Sequence, residues 1–95
     1  MRVRALRGAI TADSNTREAI VEATVELMEE MLDRNDVATD DLVYIMFTAT
    51  DELTAEFPAA AVRKLGLSHI PVICARELAV EGALPRVIRA MMLVY

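Results

Sequence analysis

The segment that constrains this chain most is 42–50, Leu-Val-Tyr-Ile-Met-Phe-Thr-Ala-Thr. It is nearly all apolar and does not alternate. A half-buried strand alternates, and an amphipathic helix repeats every three to four residues. A short continuous apolar run does neither, and reads as a strand buried on both faces, central in its sheet. Its unbroken part, Leu42 to Phe47, is six residues long, far below a membrane span. The whole chain has 95 residues, which suits one domain, 1–95, and is too short for two. A domain of this size covers only a modest share of its own surface. Its one cysteine, Cys74, permits no intrachain disulfide and suits a reducing compartment. Because 55% of its residues are hydrophobic, the chain is expected to bury part of its apolar surface against other copies.

Periodicity supplies the other elements. Residues 2–12 alternate as a strand, with Arg2, Arg4 and Leu6 on one face and Val3, Ala5, Arg7 and Ala9 on the other. Arg7 thereby shares a face with small apolar residues, where an arginine needs an anion. Residues 16–34 read as a long amphipathic helix with Asn15 as N-cap, Glu18 three residues on, and Asn35-Asp36 as the stop. Ile20, Val21, Thr24, Val25, Leu27, Met28, Met31 and Leu32 recur at helical spacing. Glu18, Glu22, Glu26, Glu29 and Asp33 line the other side, expected to be a solvated back. Val37 to Asp41 is a connection. A short helix is expected over 58–65, opened by Pro58, closed by Gly66 and carrying Arg63 on its exposed side. Ile70 to Ala75 reads as a short buried strand, and Ala79 to Pro85 as a turn. Arg86 to Tyr95 reads as a strand because of its β-branched Val87 and Ile88 and the apolar run that follows. Arg89 falls on its face with Val87, Met91 and Leu93, a second arginine among apolar neighbours. The order strand, helix, strand, helix, strand, strand implies an α+β fold, a mixed β-sheet with packed helices.

The net charge of −5 hides an uneven distribution. Residues 13–56 hold 13 of the 15 acidic side chains and only two basic ones. The rest of the chain holds eight basic and two acidic residues, seven of the eight being arginine. Arginine is favoured where a carboxylate or phosphate is held bidentately, although a general compositional bias gives the same count. No glycine-rich phosphate loop or dinucleotide fingerprint is present. A single histidine, His69, and a single cysteine argue against a His/Cys metal site built from one chain. Cys74 is expected to be a small buried hydrophobe and His69 an ordinary loop residue. The acidic balance, 4% aromatic content and lack of a basic helix disfavour nucleic acid as a partner. The first residues lack an apolar core of signal-peptide length, so a cytoplasmic location away from membranes is expected.

Six segments then fall into a recognisable order. They are Val3-Arg4-Ala5-Leu6-Arg7-Gly8-Ala9, Thr48-Ala49-Thr50-Asp51-Glu52-Leu53, Phe57-Pro58-Ala59-Ala60-Ala61-Val62-Arg63, Pro71-Val72-Ile73-Cys74-Ala75-Arg76-Glu77, Val80-Glu81-Gly82-Ala83-Leu84 and Ile88-Arg89-Ala90-Met91-Met92. Across essentially the whole chain they resemble the monofunctional chorismate mutases of the trimeric, non-helical, Bacillus type. The resemblance implies a homotrimer with a mixed-sheet pseudo-α/β-barrel core and active sites in clefts between neighbouring subunits. It implies the rearrangement of chorismate to prephenate, the committed step toward Phe and Tyr, with no cofactor and no metal.

That reaction is intramolecular. The enzyme must hold the enolpyruvyl arm folded over the ring and stabilise negative charge growing on the ether oxygen. By the resemblance, Arg89 serves that oxygen and Arg7 clamps the enolpyruvyl carboxylate. Glu77 accepts a hydrogen bond from the ring hydroxyl, which Ile73 and Cys74 help to hold. Phe57 walls the ring, and Arg63 sits at the mouth near the ring carboxylate. Outside the resemblance, the alternative is that Glu77 is a simple ion-pair partner of Arg89 or Arg7, and Arg63 a solvated side chain.

Two departures from the family pattern stand out. Ala60 replaces a basic residue common in relatives, removing a contact at the entrance. The chain ends at Tyr95, where relatives continue into a segment that carries a tyrosine and closes over the site. Tyr95 belongs to the last strand and is not given that tyrosine's role. If the protein lacks the segment, weaker substrate retention is expected, with less damage to the chemical step. The alternative reading is a trimeric small-carboxylate-binding or enamine-deaminase-like protein with interface clefts.

Overall fold

The computed structural model describes residues 2–95. Strand β1 (Arg4–Thr11) leads into helix α1 (Arg17–Arg34), and a 3-10 turn at Thr39–Asp41 precedes strand β2 (Leu42–Ala49). Helix α2 (Ala60–Lys64), strand β3 (Val72–Arg76) and strand β4 (Val87–Val94) complete the chain. The strands form one mixed sheet in the order β1-β4-β2-β3. β4 is antiparallel to both β1 and β2, and β3 is parallel to β2. A parallel pair needs a crossover between its strands, and the segment holding α2 provides it. The mixed α+β reading therefore holds, and β2 is an inner strand as its apolar run requires.

One side of the sheet is closed by the helices. Ile20, Ala23, Thr24, Leu27, Met28 and Met31 form the buried stripe of α1. The apolar ones pack in one cluster with Ile45 and Phe47 of β2, Ile88, Ala90, Met92 and Val94 of β4, and Val62 of α2. Thr24, the one polar residue of this stripe, donates its hydroxyl to the Ile20 carbonyl at 2.7 Å, so nothing polar is left unpaired there. Gly8 of β1 lies directly beneath α1. A Cβ at this position would sit 3.0 Å from Leu27 Cδ1 and 3.0 Å from Met31 Sδ, so the small residue sets how closely helix and sheet approach.

The helix ends differ in detail from the sequence expectation. Thr16, not Asn15, is the N-cap of α1, and its Oγ1 accepts from the Ala19 amide at 3.1 Å. At the C-terminus Asn35-Asp36 does stop the helix. The Asp36 amide bonds Asp33 O at 3.2 Å and the Val37 amide bonds Leu32 O at 2.9 Å, with Asp36 at φ 52° in the left-handed region. This is a Schellman closure, made here without glycine. α2 closes in the same way, with Gly66 at φ 74°. Pro58 lies two residues before α2 begins, in the turn that leads into it.

Three burial expectations are corrected. β2 is fully buried only on the side of Ile45 and Phe47; Tyr44, Met46 and Thr48 are half-buried. β3 is an exposed edge strand, not a buried one, because only β2 pairs with it and no helix covers its outer side. The face of β1 that carries Arg7 is exposed, and Leu6, Gly8 and Ile10 turn toward the helices instead. The edge position explains β3; for β1 and β2 the cause is that both helices lie on one side, and among the described residues no helix covers the other. No helix among the described residues is long and apolar enough to cross a membrane.

Candidate active site

The uncovered side of the sheet brings distant residues into register. Arg89 of β4 stands opposite Ala9 of β1 and Thr48 of β2, and Arg7 of β1 stands opposite Met91. β3 is paired with β2 through Ala49 and Arg76, and the Glu77 amide extends this ladder by bonding Ala49 O at 2.9 Å. Glu77 therefore leaves the strand end at a fixed height beside Thr48.

The resulting cavity, about 520 Å³, is lined by Arg7, Thr48, Glu77 and Arg89, with Met46 and Met91 as its apolar wall. Arg89 Nε lies 3.2 Å from Glu77 Oε1, and Thr48 Oγ1 donates to the same oxygen. Both contacts fall on Oε1, which leaves Oε2 to accept from a further donor. The Glu77 side chain is 23% exposed and that of Arg89 58% exposed. Among the described residues, Arg7 has no carboxylate within ion-pair distance. Two guanidinium groups and one carboxylate give this cavity an excess positive charge in a strongly acidic chain. The ion-pair role weighed for Glu77 is thus present, and one of its oxygens stays available.

The other expected site residues lie elsewhere in the chain. Phe57 and Cys74 line a second cavity of about 460 Å³, together with Thr50, Asp51 and Arg76. Phe57 is 66% exposed. Cys74 is exposed rather than buried, a correction that follows from the edge position of β3. Partial desolvation raises its thiol pKa above the ordinary value, against a smaller pull from the Ala59 backbone. A raised pKa makes it a poor thiolate nucleophile. Ile73 is 53% exposed, and the alternation along β3 puts it on the side of Met46. Arg63 lies apart, exposed on α2 in a hollow shared with Arg17, Glu22 and Lys64. One chain therefore assembles Arg7, Glu77 and Arg89 in one place, Phe57 and Cys74 in another, and Arg63 in a third.

Thr48 is the site residue that the sequence reading passed over. Its signal was a hydroxyl at the end of an apolar strand, on the face opposite Phe47. Only strand pairing shows that this hydroxyl meets Glu77, 29 residues away.

The sequence profile of the family described as chorismate mutase type I matches residues 3–95. The chain belongs to that family. Two curated relatives bear directly on it. The chorismate mutase AroH of Thermus thermophilus is 47% identical over 92 residues, covering 96% of this chain and 75% of that protein. The chorismate mutase AroH of Bacillus subtilis (strain 168) is 41% identical over 95 residues, covering 99% of this chain and 75% of that protein. Among solved structures, a chorismate mutase from Clostridium thermocellum superposes with a TM-score of 0.93 at 42% identity, covering 96% of this chain and 81% of that one. The fold of that chorismate mutase is thus shared over nearly all of this chain.

Proposed function

We propose that this chain is a working chorismate mutase that rearranges chorismate to prephenate in clefts between the subunits of a homotrimer. The observation that carries the reading is the Glu77 carboxylate fixed by Thr48 and Arg89 beside the unpaired Arg7, in a chain of the type I chorismate mutase family. Chorismate offers two carboxylates, an ether oxygen and a ring hydroxyl, and this set of groups matches it. Arg7 binds the enolpyruvyl carboxylate and holds the arm over the ring, an orientation effect. Oε2 of Glu77 accepts from the ring hydroxyl. Arg89, permanently charged, faces the ether oxygen as the C–O bond breaks and stabilises charge that develops only in the transition state.

Phe57, Cys74 and Arg63 enter from a neighbouring copy, while Ile73 stands on the Met46 side of the sheet. Phe57 walls the ring, Ile73 and Cys74 flank the hydroxyl, and Arg63 meets the ring carboxylate at the mouth. Two features support an intersubunit cleft. The residues fall into separate groups within one chain. The chain also leaves one whole side of its sheet open and exposes Leu78 and Leu84, apolar surface suited to burial between copies. Packing three such sheets side by side gives the pseudo-barrel core. No observation separately favours the carboxylate-binding or enamine-processing alternative.

The test follows chorismate consumption by ultraviolet absorbance, with prephenate identified as product, for wild type and Arg89→Ala. Conversion by wild type that is lost in a folded Arg89→Ala protein supports the reading. A folded wild type that yields no prephenate rejects it. Sedimentation should give three times the 10.5 kDa chain mass.

A further inference from the structure

Since Thr16 caps α1, the Asn15 side chain is free for another task, and it reaches across 39 residues of sequence. Its Oδ1 accepts from the Thr54 amide at 2.9 Å and from the Ala55 amide at 3.0 Å. Its Nδ2 donates to Thr54 Oγ1 at 3.0 Å. A second tie runs beside it. Arg17 Nε lies 3.0 Å from Glu56 Oε2, and Glu56 Oε1 accepts from the Phe57 amide at 2.8 Å. Asn15, just before the cap of α1, and Arg17, its first residue, thus grip the loop at 54, 55 and 56, and through Glu56 the backbone of Phe57. The Phe57 ring, mostly exposed, has little packing of its own to fix it.

We propose that Asn15 is a positioning residue for the chorismate mutase reaction, holding the loop 54–57 where Phe57 can wall the substrate ring. The inference rests on the reading of Phe57 as a ring contact. Each of these exposed hydrogen bonds contributes little alone. All three act on the same short loop, so together they set the fraction of molecules whose loop is ready to bind. Apparent affinity falls in proportion to that fraction, while a substrate already bound reacts as before. Loss of Asn15 therefore raises KM and spares kcat.

The experiment compares chorismate kinetics of the wild-type protein, Asn15→Ala, Asn15→Asp, Thr54→Val, Phe57→Ala and the Asn15→Ala/Phe57→Ala pair. Asn15→Ala should raise KM about five- to tenfold and leave kcat within about twofold, as a shrinking binding-competent population requires. Asn15→Asp keeps an oxygen for both amides, and the Thr54 hydroxyl can turn to donate, so KM should return close to wild type. The double variant should be no worse than Phe57→Ala, because both changes remove the same interaction. Unchanged KM in Asn15→Ala, with an active wild type and an impaired Phe57→Ala, overturns the inference and leaves the enzyme reading standing. Losses that add in the double variant also overturn it. Should Asn15→Ala fail to fold, Thr54→Val takes its place: a smaller KM rise supports the inference and an unchanged KM overturns it. A wild type without prephenate overturns the enzyme reading and this inference with it.

Discussion

Glu77 and Arg89 meet through Oε1 and Nε at 3.2 Å, although β2 lies between β4, which carries Arg89, and β3, which ends just before Glu77. Thr48 of that intervening strand donates to the same carboxylate oxygen. Three neighbouring strands thus build one charged cluster on the uncovered side of the sheet.

The proposed function sets Arg89 against the reacting oxygen, so its loss should act on the chemical step. Arg89→Ala is expected to lower kcat at least as much as removal of one preorganised donor, roughly 3–4 kcal/mol or 10²–10³-fold. Steady-state kinetics, with circular dichroism as the check on folding, measures this. A kcat within tenfold of wild type would remove Arg89 from its role.

Thr48 donates to Glu77 in the same cavity. Thr48→Val keeps the shape of the side chain and removes the donor, which leaves Glu77 tied by Arg89 alone. Loss of one such hydrogen bond to a carboxylate is worth about 1.5–3 kcal/mol, so kcat/KM should fall about tenfold or more. Thr48→Ser should restore most of it. Equal activity in the Val and Ser variants would mean that the hydroxyl does not matter.

Glu52 ties the chain together outside this cavity. It accepts from the Thr50 hydroxyl at 2.6 Å and from the Arg86 amide, at the point where Arg86 adopts φ 54° before entering β4. These hydrogen bonds, the Thr50 one first, lower its pKa below the ordinary 4.5. A carboxyl whose folded pKa is depressed adds stability above its unfolded pKa and loses it as pH falls through the folded one. Wild type should therefore melt above Glu52→Gln at neutral pH. The gap should shrink as pH drops below the ordinary carboxylate value. Melting curves from pH 7 to pH 3 test this, and a gap that does not change with pH contradicts it.

Gly8 lies where α1 crosses β1, with Leu27 and Met31 at 3.0 Å from any added Cβ. Gly8→Val should cost about 1–3 kcal/mol through overpacking, read as a lower melting temperature. A melting temperature equal to wild type would show that the Leu27 and Met31 tips simply move aside.

Much of this was legible in the residues. The apolar run at 42–50 announced an inner strand, the 3.6-residue repeat announced α1, and β-branched residues announced β4. Arg7 and Arg89 stood out as arginines among apolar neighbours, and both line the charged cavity. The expected burial of β3 and Cys74 failed, because an apolar pattern reports what a segment prefers and not which partner covers it. The sequence reading gives the helix cap to Asn15 because Asn is a good N-cap; Thr16 is another, and its hydroxyl takes the Ala19 amide while Asn15 turns to residues 54 and 55.

The kind and order of the elements belong to the sequence alone, because helix and strand preferences arise from neighbours a few residues apart. So does membership of the type I chorismate mutase family, which the order of short segments already suggested. Tertiary structure decided which side of the sheet the helices close, and that β3 lies at the edge. It also decided that Thr48 reaches Glu77, and that Asn15 reaches Thr54. Those contacts span 29 to 40 residues and depend on strand register and helix placement. A one-residue slip in register would turn Thr48 to the opposite face, so no local pattern could specify them.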